Sequence, residues 1–527
     1  MAKVSRRTFL KQSLAFAGAT FVVGTAARPV LGANNRIRVG VAGIRGRGSA
    51  HISEFQGMRD VQVTYLIDID TRTFGSQLGG MEGRFIKEIM KERGIKEVVV
   101  PKDTKGEEKK QLDAERAKQM TDLKKLIEPG RMPKCVQDVR RALEDRELDV
   151  LSIATPNHWH SLMTIWACQA NKDVYVEKPC SHNVYEGRKA VEAARKYNRI
   201  VQHGTQSRSA AAWARIPEIA KSGQLGKLLV SHGYASKPRG AIKLAEADKL
   251  PPATQVDFNL FLGPAQESEF QEYRGAYQYI WHWFWAFGNG EIGNQGVHEM
   301  DKARWGIPGA TLPKSVLSLG GRFAYVDPGQ TPNTQLAVFD YGEGQPILVF
   351  ETCGLVDGPQ SKVTNDFYFE AGVIRGGSKF FPKDGGGKDA PLPKIEGKLG
   401  PDSRSHFGNF IAAVRSRKRE DLNADILEGH YSSALCHLAN ISYRLGREVP
   451  FADTQKAFGE RAYANEAWAK LQEHLVTNRK LDLTKLQCHL GKSLRFDAEK
   501  EKFIDDPEAD RLLTRPYRPP FVVPEQI

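Results

Sequence analysis

From Arg36 onward, short β-rich runs alternate with stretches of helical character, the rhythm of a parallel sheet covered by helices. Arg36 to Ala42 reads as a strand, Ser49 to Gly57 as a helix, and Val61 to Ile67 as a second strand that ends at Asp68. The rhythm breaks from Arg84 to Lys134, where charges are dense and only Val98 to Val100 has strand character. That segment is expected to be an insertion of two or three surface helices, a solvated or subunit-contact face. The pattern resumes with a helix over 136 to 145, a strand from Leu148 to Ala154, a further helix, and a strand from Asp173 to Val176.

Beyond residue 206 the period changes. Strand-like runs at Lys227 to Ala235, Ser315 to Tyr325, Gln335 to Tyr341, Ile347 to Cys353 and Phe367 to Ile374 predict a mostly antiparallel open sheet. Helices are expected at 209 to 222, 294 to 305, 405 to 416 and 424 to 444, on one side of that sheet. From Asp453 a further helix and a Pro-rich extended tail follow, wrapping the body or a neighbouring subunit of a homo-oligomer. The fold class is therefore α/β. A leader occupies 1–33, and a nucleotide-type α/β domain covers 34–205 with its insertion at about 84–134. An α+β substrate and oligomerisation domain covers 206–450, and the tail covers 451–527.

Composition narrows the function. The chain has 527 residues, 26% charged and 40% apolar, an ordinary globular balance. Its net charge of +13 sits mostly in the leader, which has five basic residues and no acid, and in the 84–134 segment, with fifteen basic residues against ten acidic. The remaining body is near neutral, so no nucleic-acid partner is expected. Ser5-Arg6-Arg7-Thr8-Phe9-Leu10-Lys11 is a twin-arginine core followed by an uncharged stretch from Gln12 to Ala27, too short to span a bilayer comfortably. It predicts export by the Tat machinery to the periplasm or another extracytoplasmic compartment, by a route that carries folded proteins with their cofactors. The six cysteines are widely spaced, and no bridge is required of them.

The glycine turn carries the first chemistry. Gly43, Arg45, Gly46 and Gly48 link strand to helix in the context of a dinucleotide fingerprint, a Rossmann unit, with Asp68 placed to accept hydrogen bonds from the adenosine ribose. Arg45 holds the place of the second glycine, whose purpose is to let backbone touch phosphate. A side chain there must swing away or bind the phosphate itself. The other reading is a glycine-rich turn that binds nothing.

Thr155, Asn157 and His160 stand at the carboxyl end of the Leu148–Ala154 strand, where ligands bind in open α/β sheets. Glu177-Lys178-Pro179 ends the next strand. Lys178 is either a general acid/base or hydroxyl-orienting group beside a nicotinamide, or a solvent-facing loop lysine. Gln202 to Arg208 brings polar groups toward the same crevice. Trp281-His282-Trp283-Phe284-Trp285 reads equally as a sugar-stacking wall and as core. His158, His160 and His298 match no zinc spacing, so no metal is expected. His430 and His437 read as core or interface residues.

Together these motifs resemble the Gfo/Idh/MocA oxidoreductase family, the group of glucose-fructose oxidoreductase and inositol dehydrogenase. The resemblance rests on Val39 to Gly48, Asp68, Thr155 to His160, Glu177 to Pro179, and the glycine-rich run Gly288 to Asp301. It implies a bound NAD, held tightly if the protein is exported already folded, with NADP as the possible alternative, lined on its nicotinamide side by Thr155, Asn157, His160 and Glu177. It also implies Lys178 and His298 as the catalytic proton-handling pair. Asn294, four residues before His298, stands where many dehydrogenases of the family have an aspartate. An amide can hold a hydroxyl but cannot take its proton. The expected function is an exported NAD(P)-dependent oxidoreductase acting on a sugar, polyol or sugar derivative. The alternatives are an NAD-retaining, redox-cycling glycoside-cleaving enzyme and a non-catalytic carbohydrate-binding protein on the same fold.

Overall fold

The computed structural model describes residues 36–396 and 405–527; the leader lies outside them. Strand β1 (Ile37–Ala42) is buried on both faces, as its near-continuous apolar run requires of a strand between two helix layers. With β2 (Val61–Ile67), β3 (Lys134–Val136), β4 (Val150–Ile153), β5 (Asp173–Val176) and β6 (Val201–His203) it forms a six-stranded parallel sheet ordered β3-β2-β1-β4-β5-β6. The chain moves outward through β2 and β3, then returns to pair β4 with β1. That reversal opens a crevice at the carboxyl ends of β1 and β4, where ligands bind in doubly wound sheets.

The insertion folds as two helices, Arg72–Arg93 and Gly106–Lys124, which share the small cluster Ile86, Ile89 and Leu123. Val98 to Val100 forms no strand, and Val99 is exposed. The helix expected over 136 to 145 is shorter, Val139–Leu143, because β3 takes the residues before it and Asp138 caps it by accepting from the Arg140 N–H.

The second sheet is built from β7 (Leu228–Ser236), β8 (Ser315–Gly321), β9 (Thr334–Asp340), β10 (Ile347–Cys353), β11 (Lys362–Phe369), β12 (Gly372–Arg375), β13 (Lys379–Pro382), β14 (Arg447–Pro450) and β15 (Gln487–Leu490). β16 (Leu494–Asp497) adds to β8, and β17 (Lys502–Phe503) pairs with β16. Their order is β13-β12-β11-β7-β10-β9-β8-β15-β14, antiparallel except where β7 meets β10.

Helices cover both faces of this sheet, where one was expected. Ala337, Phe339, Leu348 and Phe350 pack on one side with the helices Gly296–Trp305 and Ile426–Arg444. Leu336, Val338 and Val349 point the other way, onto Trp468, Leu471 and Leu475 of the helix Ala462–Thr477. The strand expected over Phe367 to Ile374 divides into the hairpin β11–β12.

Two later segments return to the first sheet. The helix His406–Ser416 stacks Phe407 on Tyr175 of β5 with ring centroids 4.4 Å apart. In the tail, Phe521 packs edge-on against Trp159 at 5.3 Å. The tail thus lies against its own body, one of its two expected positions.

Candidate active site

The glycine turn is fixed by contact distances. A Cβ on Gly48 would fall 1.7 Å from the Gly43 carbonyl oxygen, and one on Gly43 would fall 2.6 Å from the carbonyl oxygen of Ala154. Gly43 also adopts φ +78°, a left-handed conformation that favours glycine. The loops after β1 and β4 therefore touch through bare backbone. The Gly46–Gln56 helix begins with no side-chain cap, and the space beside Gly46 is open. The Arg45 guanidinium pairs with Asp70, which Arg72 also grips at 2.8 and 2.7 Å. The helix N-terminus, with its positive dipole end, is left for an anion.

Asp68 braces the turn. Its two oxygens accept from the Ile44 and Asp70 N–H groups, each at 3.0 Å. Burial pushes its pKa up, against these two bonds and the charge of Arg45.

Glu177 is a buried hub. Oε1 accepts from Arg47 Nε at 2.7 Å, His51 Nε2 at 3.1 Å and Gln206 Nε2 at 3.1 Å, while Oε2 accepts from the Lys178 N–H at 3.2 Å. Burial alone would raise its pKa; the hydrogen bond from His51 and the positive charges around it hold the carboxyl well below the usual range. Gly204 lies against it, since a Cβ there would sit 2.9 Å from the Glu177 carboxyl carbon. Glu177 thus ties the first helix, β5 and the loop after β6 together beneath the crevice.

The Gln202–Arg208 segment does not offer its polar groups to a ligand. Gln202 donates to the His406 carbonyl oxygen at 2.8 Å, and Gln206 to Glu177. Arg208 Nε reaches both oxygens of Asp301, at 2.9 and 3.0 Å. Thr155 is half-buried beside the glycine turn. His160 is buried between two carbonyl oxygens, Thr155 at 2.7 Å and Pro179 at 2.5 Å, clamping the loops after β4 and β5.

The two halves of the molecule meet at the glycine-rich run. Asn157 Nδ2 donates to Asn289 Oδ1 at 3.1 Å, and Asn289 Nδ2 donates to the His182 carbonyl oxygen at 3.0 Å. Lys178 Nζ donates to the main-chain oxygen of Asn294 at 2.9 Å, at the end of the Gly290–Asn294 helix. His298 follows one turn later, half-buried, with no hydrogen-bond partner for its ring among the described residues. Lys178, Asn294 and His298 are brought together; Asp68 and the glycines stand at the cofactor end of the crevice.

The electrostatics suit proton handling. Burial, then the charge of Lys178, holds His298 well below the usual histidine value, so the imidazole is neutral at pH 7. Burial also lowers the Lys178 pKa, opposed by Glu177 and Glu291. The side chain of Asn294 is engaged: Nδ2 donates to Glu291 Oε2 at 3.2 Å and to the Tyr279 hydroxyl at 3.3 Å. Glu291 is itself held bidentately by Arg239 at 3.0 and 2.8 Å.

Reading the sequence missed Glu291, Arg239, Tyr279 and Arg47 as site residues. Glu291 had a signal, since it lies three residues before Asn294 on one helical face; the others arrive from distant loops. The tryptophan run divides. Trp283 and Phe284 are core, while Trp281 and Trp285 stay half-buried.

The model for the oxidoreductase family's NAD-binding Rossmann fold matches residues 37–205, and that for its C-terminal alpha/beta domain matches residues 379–476. The scyllo-inositol 2-dehydrogenase (NAD(+)) of Bacillus subtilis is 31% identical over 105 residues, 20% of this chain and 30% of that protein. The inositol 2-dehydrogenase of Salmonella typhimurium is 30% identical over 97 residues, 18% of this chain and 29% of that one. The chain thus spans under a third of the curated relatives it matches. The WlbA dehydrogenase from Bordetella pertussis, solved with NADH and UDP-GlcNAcA, is 16% identical, covering 77% of this chain and 96% of that one at a TM-score of 0.49. Matched in both its nucleotide-binding and its C-terminal domain, the chain belongs to the Gfo/Idh/MocA oxidoreductase family.

Proposed function

We propose that this protein is an NAD-dependent oxidoreductase acting on a CH–OH carbon of a sugar, polyol or sugar derivative. The observation that carries the reading is the junction of Lys178, Asn294 and His298 at the mouth of the sheet crevice, with Lys178 Nζ 2.9 Å from the Asn294 carbonyl oxygen. The names of the inositol dehydrogenases it resembles point to the same substrate class.

The residues present fit the cofactor. The uncapped helix start and the open space at Gly46 leave room for a pyrophosphate, and Arg45 is paired with Asp70. Asp68 retains lone pairs for a ribose. When bound, NAD supplies the hydride acceptor or donor. Lys178 and the neutral His298 hold and move the hydroxyl proton, and Asn294, fixed by Glu291, orients a hydroxyl without removing its proton.

A second reading is favoured by Asn294: a retained NAD would oxidise the sugar transiently, elimination or hydrolysis would follow, and the hydride would return. We also propose, from the leader, that the protein is exported by the Tat route.

The test begins with mass spectrometry of the denatured, purified protein, which should release NAD. Absorbance of NADH is then followed across inositols, hexoses and their derivatives, alongside product analysis. Net NADH on one of them supports dehydrogenation; a cleaved product with no net NADH supports the cycle. Lys178→Met should lower turnover by at least about 100-fold and keep the bound dinucleotide. Absence of dinucleotide and of turnover would leave only carbohydrate binding, and unchanged turnover in Lys178→Met would sink its assigned role.

A further inference from the structure

Behind Asn289, away from Lys178 and His298, the C-terminal tail closes a cavity of about 380 Å³. Three arginines converge on it from separate elements. Arg444 ends the Ile426–Arg444 helix, Arg511 ends the short helix Pro507–Arg511, and Arg515 follows in the tail. The guanidinium of Arg444 lies over the ring of Trp285, 5.3 Å from its centroid.

Arg515 is the telling group. Its side chain is only 7% exposed, yet Nε and Nη2 have no hydrogen-bond partner. Nη1 donates to the Ala286 carbonyl oxygen at 2.8 Å. The nearest carboxylates, Glu186 and Glu269, each stand 3.8 Å away, beyond hydrogen-bond reach. Glu186 also accepts from the His182 N–H at 3.1 Å and Asn183 Nδ2 at 2.9 Å. His182, also in the wall, has its Nε2 buried without a partner.

Buried donors left unmade are costly, and planar guanidinium forks are shaped for oxyanions. Three guanidinium groups stand against two carboxylates, Glu269 in the wall, 30% exposed, and Glu186 behind it, each 3.8 Å from Arg515. We propose that this cavity binds a small oxyanion, a phosphate, sulfate or carboxylate group, through Arg515, Arg511, Arg444 and His182. The inference is independent of the oxidoreductase reading, since the cavity shares none of its proton-handling residues.

Isothermal titration calorimetry on the full chain, saturated with NAD to fill the helix N-terminus, tests it at constant ionic strength in chloride. The probes are inorganic phosphate, sulfate, glucuronate and glucose 6-phosphate, with glucose as the uncharged control. Saturable binding of at least one anionic probe is expected, weakened tenfold or more in Arg515→Gln and, separately, in Arg511→Gln, whose exposed position spares the fold. Glucose 6-phosphate tenfold tighter than phosphate would assign the oxyanion to a sugar; equal affinities would assign a free anion. The proposal is overturned if no anionic probe binds, or if both arginine variants bind as wild type does.

Discussion

Glu177 shows how much one buried side chain can organise. Four donors from three parts of the chain converge on its carboxylate, and its native pKa lies well below that of a free glutamate. A depressed native carboxyl pKa stabilises the fold above the unfolded value of about 4.3, and that stability is lost as pH falls through the native value. Glu177→Gln should therefore cost about 1–3 kcal/mol at pH 7, and the deficit should shrink in acid below pH 5. Urea melts of both proteins at pH 7 and at pH 4 check the sign, and a deficit that grows in acid would contradict it. Arg47 is half-exposed, so it rehydrates when its partner is removed and limits the loss.

At this scale the sequence was legible in part. The presence of Glu177, Lys178, Asn294 and His298 in ordered motifs was plain, but their partners were not. Arg47 and His51 reach Glu177 across more than 120 residues, and no spacing rule connects them. Asn294 shows the limit most directly. A carboxylate at that position would be expected to pair with His298 one turn on. In the fold it would instead face Glu291 Oε2, where the amide nitrogen now donates at 3.2 Å.

Among the elements, the glycine turn makes the sharpest claim. Gly48→Ala cannot be accommodated where a Cβ meets a carbonyl oxygen at 1.7 Å, so the turn must open. It should cost about 2–4 kcal/mol of stability and weaken NADH at least tenfold by fluorescence titration. Gly46→Ala, at φ +38° but facing open space, should cost only about 1 kcal/mol. Equal penalties for the two would show that backbone crowding is not what the turn depends on. The longer strands of both sheets were readable within a few residues, because apolar runs of four to eight residues between turn signals have few other solutions; the short β3 and β13 were not, and β11 and β12 were read as one strand. Strand β14 and strands β15 to β17 of the tail were not readable either. They are short; β15 and β16 pair with β8, and β14 and β17 add to those two in turn.

For the molecule as a whole, the leader and the body make one joint prediction. With the tagged full chain expressed in a Tat-competent bacterium, replacing Arg6 and Arg7 together by Lys should leave the protein in the cytoplasm, where fractionation would otherwise find it exported. Export that persists in the double variant would remove the twin-arginine assignment.

The sequence by itself determined what is local: the alternation of strands and helices, the glycine turn, the order of the motifs and the excess positive charge concentrated in the leader and insertion. The two-sided covering of the second sheet was not read from the sequence, although the apolar stretch Leu336–Phe339 inside β9 is compatible with it. Only the tertiary structure decided what covers its two faces. It laid the Ala462–Thr477 helix on the far face, returned His406–Ser416 and Phe521 to the first sheet, and brought Lys178 to Asn294 across 116 residues. Local pattern states how much surface a segment must bury and which way it faces. The choice of partner depends on packing and hydrogen-bond satisfaction among segments far apart in the chain, which exist only once the whole is folded.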